Sequence, residues 1–136
     1  MQPSAILESA LYVTDLGAAE AFYAEVLGLE RIAKAEGRHV FFRCGTGVLL
    51  LFNAAATRLP PAPDARLPVP PHGTAGDGHL CFSATADAVD RWKDHLLTRN
   101  IAIEADFEWP NGGRSIYFRD PSGNSLEFAE PRIWGL

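Results

Sequence analysis

Apolar and polar positions alternate with a period of two through most of the chain, and twice a longer helical period breaks in. "ILESALYV" (6–13) predicts a strand. "TDLGAAEAFYAEVLGLE" (14–30) predicts a helix: Thr14 or Asp15 can cap it, Phe22, Val26 and Leu29 recur at helical spacing, and Gly28 ends it. Strands follow at about 30–35, at "RHVFFRC" (38–44) and at "VLLLFNA" (48–54), with "GTG" as a turn. Residues 54–78 hold six of the ten prolines and no hydrophobic period, so they read as a long loop or linker. The order then repeats. "HLCFSAT" (79–85) is a strand, "ADAVDRWKDHLLTRN" (86–100) a helix with Val89, Trp92 and Leu96 on one face, and "IAIEADF" (101–107) a strand. "GRSIYFRD" (113–120) and "NSLEFAE" (124–130) form a hairpin around "DPSG".

The two halves superpose residue by residue. Phe42, Arg43, Gly47, Leu50 and Phe52 fall on Phe118, Arg119, Gly123, Leu126 and Phe128 at one offset, 127 − 51 = 76. The opening strands match at 79 − 8 = 71. The chain therefore reads as two β-α-β-β-β modules, about 5–54 and 78–131, joined by a linker at 55–77.

Side chains alternate across a strand, so each strand has two faces. Leu126 and Phe128 share the face that packs on a helix, and Ser125, Glu127 and Ala129 share the other. His79, Cys81 and Ser83 share a face, as do Glu8, Ala10 and Tyr12, and in the fourth strand the matching face is read as Leu49, Leu51 and Asn53. Each of three strands thus carries one potential ligand on its less apolar face: Glu8, His79 or Glu127. Taken singly, the ordinary reading of each is a solvent-facing glutamate or a structural histidine. At repeat-equivalent positions, with both modules contributing to one curved sheet, two carboxylates and an imidazole converge. Such a set suits Mn, Fe, Ni or Zn and leaves positions open, as a catalytic site does. A metal there also removes the cost of burying Glu127.

Composition narrows the classes. A chain of 136 residues is one ordinary domain, and 47% hydrophobic residues exclude disorder. The net charge is −5 and the basic residues form no run, so neither nucleic acid nor an anionic membrane surface is expected as a partner. The longest apolar run, Val48 to Phe52, is too short to span a bilayer, and "MQPSAILES" does not have the form of a signal peptide. Cys44 and Cys81 read as reduced core residues of a cytoplasmic protein.

The motifs "YVTDLGAAEAFYAEVLGL", "GHLCF" and "YFRDPSGNSLEF", the last with D-P-x-G-x-x-x-E from Asp120 to Glu127, resemble the vicinal oxygen chelate superfamily of glyoxalases, bleomycin-resistance proteins and extradiol dioxygenases. The resemblance spans the whole chain as one glyoxalase-like α+β domain. It implies paired β-α-β-β-β modules that form a cupped mixed sheet around a divalent metal, with helices on the outer face. It implies metal ligands at Glu8, His79 and Glu127, a tyrosine at Tyr117 that reaches the substrate oxygen, and a homodimer, in some members with exchanged modules. A fourth glyoxalase ligand would fall on Leu51, so the four-ligand set is absent. "WPNGGRSIY" contains no histidine, which disfavours ring cleavage. Arg114, in a Gly-rich turn, is a candidate for an anionic substrate group or a solvated loop residue. His72 reads as linker, and Trp109 and Trp134 read as pocket walls or dimer contacts. Three functions compete. The first is a metal-dependent lyase or isomerase on a small oxygenated substrate, in which Glu127 can double as the base. The second is a dioxygenase or thiol transferase. The third is a non-catalytic drug- or metabolite-binding protein.

Overall fold

The structure is a computed structural model and describes residues 2–136. Two compact units divide between Gly76 and Asp77. Each is a β-α-β-β-β module with its own mixed four-stranded sheet.

In module one, β1 (Glu8–Tyr12), β2 (Glu30–Ala35), β3 (His39–Cys44) and β4 (Gly47–Phe52) lie in the order β1-β4-β3-β2. β1 runs parallel to β4 and the other pairs are antiparallel. Between β1 and β2, helix α1 (Leu16–Ala21) starts at Asp15, whose Oδ1 accepts from the Ala18 N–H at 2.9 Å. The helix then widens into a π-helical turn (Phe22–Val26) that buries both Phe22 and Tyr23, and Gly28 leaves it at φ +67°. Val40, Phe42, Leu49 and Leu51 form the buried face of the sheet, with Tyr23 tilted against Phe42 at 6.0 Å. The 54–78 segment holds one short helix, α2 (Ala54–Thr57), capped by the Asn53 side chain.

Module two repeats the plan with β5 (His79–Ser83), α3 (Ala86–Thr98), β6 (Ala105–Glu108), β7 (Arg114–Arg119) and β8 (Ser125–Ala129), in the order β5-β8-β7-β6. Val89 and Leu96 of α3 are buried, and Trp92 stacks on Phe128 at 4.4 Å. β6 begins four residues later than the sequence pattern predicts. Asn100 takes a left-handed conformation at φ +58°, and the Ile101 N–H bonds back to the Leu96 carbonyl at 3.0 Å, which holds the chain to the helix end. A 3₁₀ turn, Pro131–Trp134, closes the module.

The turn between β7 and β8 is a closed polar box. Asp120 is 4% exposed; its Oδ1 accepts from the backbone N–H groups of Ser122 (2.8 Å) and Asn124 (2.9 Å), and its Oδ2 from Asn124 Nδ2 (2.9 Å). Asn124 Oδ1 accepts from the Gly78 N–H at 2.8 Å, which ties the turn to the start of β5.

The pairing corrects the uniform repeat offset. Phe41 pairs with Leu50, whereas Tyr117 pairs with Glu127. Arg43 pairs with Val48 across four intervening residues, and Arg119 pairs with Ser125 across five. The offset is therefore 76 before the turn and 77 after it, and Leu50, not Leu51, stands at the Glu127 position. Leu51 is fully buried on the helix face. A single extra turn residue moves every match in the following strand by one, so a uniform offset assigns the two faces of β4 the wrong way round. The face shared with Glu8, Ala10 and Tyr12 is accordingly Val48, Leu50 and Phe52.

Among the described residues, no helix is long and apolar enough to cross a membrane.

Candidate functional site

Module two has one face under α3 and one face away from it. Lateral pairing places Cys81, Glu127 and Tyr117 in one row across β5, β8 and β7, on the face away from α3. His79 lies one step along on β5, on the same face. The alternation in "NSLEF" puts Leu126 and Phe128 in the core and so forces Glu127 to this face. Even so, Glu127 is only 4% exposed, because its neighbours close over it.

The hydrogen bonds of His79 define its chemistry. Its Nδ1 lies 3.1 Å from the Ser125 carbonyl, which can only accept, so Nδ1 carries the proton. Its Nε2 lies 3.3 Å from Glu127 Oε2, and in the neutral form of the ring it presents a lone pair there. Two lone pairs do not face each other at that distance unless a proton or a metal cation lies between them. The other carboxylate oxygen, Oε1, is buried with no hydrogen-bond partner. An imidazole held by a backbone carbonyl, beside a carboxylate with an orphaned oxygen, is a donor set that a divalent cation fits.

The flanking groups are proton donors. Burial first, and then the Glu127 carboxylate, push the Tyr117 hydroxyl up to about 12. The same causes push the Cys81 thiol up to about 12. Both stay protonated at neutral pH. Tyr117 is stacked between His79 (6.1 Å) and Phe107 (5.9 Å), and Phe107 meets Trp109 at 5.0 Å. Trp109 Nε1 donates to Ser115 Oγ at 2.8 Å, so the indole forms a wall beside the row. Cys81 is exposed on this face and is not the core residue the sequence suggested; alternation along "HLCFS" places it beside Glu127. The same alternation was the signal for Cys81 as a site residue.

The structure brings His79, Glu127 and Tyr117 together. Arg114 lies on the opposite face of β7. It grips Asp106 through Nε (2.6 Å) and Nη2 (2.7 Å) and Asp90 of α3 through Nη1 (2.5 Å). These pairs hold Asp106 well below the usual carboxylate range, with Lys93 helping at 2.7 Å, and they bind α3 to the sheet edge. With both acids engaged, Arg114 acts as a tie of α3 and not as an open anion receptor. Glu8 is exposed at the start of β1, in the other unit. Its pairing with Val48 matches that of His79 with Ser125, so the repeat equivalence of Glu8 and His79 stands. Among the described residues, no three His, Cys, Asp or Glu side chains are gathered as a metal site. His79 and Glu127 are a pair.

A model of the Glyoxalase/Bleomycin resistance protein/Dioxygenase superfamily matches residues 5–128. No curated protein matches the chain at a significant level. The solved structure of a lactoylglutathione lyase from Agrobacterium tumefaciens is 48% identical, covers 100% of both chains and superposes with a TM-score of 0.92. A virulence protein from Salmonella typhimurium is 26% identical over 96% of this chain and 98% of its own, with a TM-score of 0.68. A glyoxalase/bleomycin resistance protein/dioxygenase from Nocardioides shares the fold at 22% identity, over 96% of this chain and 85% of its own, with a TM-score of 0.72.

Proposed function

The chain belongs to the Glyoxalase/Bleomycin resistance protein/Dioxygenase superfamily, and we propose that it is a metal-dependent lyase or isomerase acting on a small oxygenated substrate. The observation that carries this reading is His79 Nε2 at 3.3 Å from Glu127 Oε2, with Oε1 buried and unpartnered. His79 and Glu127 would hold one divalent ion (Mn, Fe, Ni or Zn). Glu8, the repeat counterpart of His79, is proposed as the third ligand, from this chain or from a second copy in a homodimer. Such an ion supplies Lewis-acid polarisation of a carbonyl-type oxygen.

The side chains of module two supply the rest. Tyr117, neutral up to about 12, donates its hydroxyl hydrogen bond to the substrate oxygen on which charge develops. Glu127 accepts the proton from the carbon beside that oxygen and returns it to the neighbouring carbon, which moves a hydrogen without net redox change. Phe107 and Trp109 line one side of the row with aromatic surface. The 48% identical relative is named a lactoylglutathione lyase, and lactoylglutathione is the first substrate to test.

The test measures the metal content of protein purified without chelator, then the formation and breakdown of lactoylglutathione. About one ion per chain is expected. Glu127→Gln should lose both the metal and turnover. Tyr117→Phe should keep the metal and lower kcat about a hundredfold or more, with KM little changed. Protein that takes up no Mn, Fe, Ni or Zn overturns the reading and leaves a non-catalytic binder.

A further inference from the structure

Module one also has a face away from its helix, and that face is already occupied from within the chain. Tyr12, Phe52 and His39 form a lateral row across β1, β4 and β3, with Phe41 one step along on β3. His39 stacks on Phe41 at 4.1 Å, and Phe41 meets Phe52 edge-on at 5.3 Å. Into this aromatic box the 54–78 segment delivers one side chain, His72. Its ring stands edge-on to Phe52 at 4.6 Å and to Tyr12 at 5.9 Å. Its Nδ1 lies 2.7 Å from the Tyr12 hydroxyl. The His72 backbone N–H donates to the Thr57 carbonyl at 3.1 Å, so α2 anchors the delivery. The box also contains a buried polar atom without a hydrogen-bond partner, His39 Nδ1.

These contacts are those a receptor makes with a small heteroaromatic ligand: aromatic edges and faces around the ring, and one directed hydrogen bond to a ring nitrogen. We propose that this face of module one is a binding site for a small planar nitrogen heteroaromatic ring, of the imidazole or pyridine class, and that His72 occupies it as an internal stand-in. An external ring gains the same Tyr12 hydrogen bond that His72 makes. It competes with a tethered side chain, so its apparent affinity is reduced by the fraction of chains in which His72 is seated. No residue of this box is a ligand in the proposed metal chemistry, although Glu8 lies on the same face of β1 as Tyr12.

The test uses imidazole as the probe and the whole chain, followed by NMR of the Tyr12, Phe52 and His72 rings. His72→Ala vacates the box and should bind imidazole at least about tenfold more tightly than the wild type. Adding Tyr12→Phe should abolish that gain, which separates a directed site from a plain apolar hole. Equal affinity of folded His72→Ala and wild type overturns the proposal, as does an unchanged affinity in the double variant. Should His72→Ala fail to fold by circular dichroism, the wild type decides. Saturating imidazole must then shift the His72 ring resonances towards those of a solvent-exposed histidine. Resonances that stay in place overturn the proposal.

Discussion

Glu127 sits between two acids weaker than their ordinary values, and this governs how each side chain of the row reacts. The Cys81 thiol is exposed on the open face, yet burial of its sulfur and the Glu127 charge push it up to about 12. The thiolate is the nucleophile, so exposure alone overstates reactivity here. In metal-free protein at pH 7, Cys81 should alkylate with iodoacetamide at least about a hundredfold more slowly than an ordinary free thiol. Glu127→Gln should speed that reaction, while Cys44, raised by burial alone, should not respond. Peptide mapping of the alkylated protein reads both sites. Rapid labelling of wild-type Cys81 would show that the carboxylate does not bias it. Tyr117 belongs to the same logic: a phenol that stays neutral can donate, which is the property the proposed chemistry requires of it.

The turn box and the Arg114 cluster fix where the elements lie. Asp120 satisfies two backbone N–H groups and the Asn124 amide, and Asn124 in turn holds Gly78. Asp120→Ala leaves buried donors without their charged acceptor and should lower stability by about 3 kcal/mol, read as a fall in the urea midpoint at unchanged slope. Arg114 links β7, β6 and α3 through Asp106 and Asp90. Asp106 is depressed below its unfolded value, so its contribution is present above the ordinary carboxylate pKa of about 4 and is lost as the pH falls below it. The stability gap between wild type and Asp106→Asn, about 1 kcal/mol at pH 7, should close in acid denaturation series below that point. Most of this level was legible in the sequence: the period-two pattern placed seven of the eight strands to within two residues, and "DPSG" marked the turn. The face of β4 was not legible. Gly47 over Gly123 and Leu50 over Leu126 are matching letters that agree with a uniform offset, and no letter reveals an extra turn residue. Arg114 misled for a related reason, since its two acid partners, Asp90 and Asp106, come from distant elements.

At the scale of the molecule, the chain is two modules of one plan joined through a proline-rich segment. Arg66 is exposed in a stretch without helix or strand, whereas Arg58 ends α2 and its side chain lies against Gly73. Limited trypsin treatment should therefore cut first after Arg66 and leave fragments of 66 and 70 residues, 136 − 66 = 70, identified by mass. A first cut within a sheet would contradict this division. His79, Glu127 and the module plan were readable in the sequence because alternation acts within one strand. The aromatic box of module one was not, because His72 reaches it from a segment with no period. The connection from Arg119 to Ser125 is one residue longer than that from Arg43 to Val48, and this has an evolutionary consequence. In a strand, parity decides chemistry, so an added residue is harmless only where the turn takes it up. Here the turn does so: Leu49 and Leu51 of one copy stand where Leu126 and Phe128 stand in the other, and both pairs remain buried. A protein built by doubling a β-α-β-β-β unit can thus lengthen one hairpin, keep the apolar face of the strand that follows, and still differ between copies at one outward place, Leu50 against Glu127.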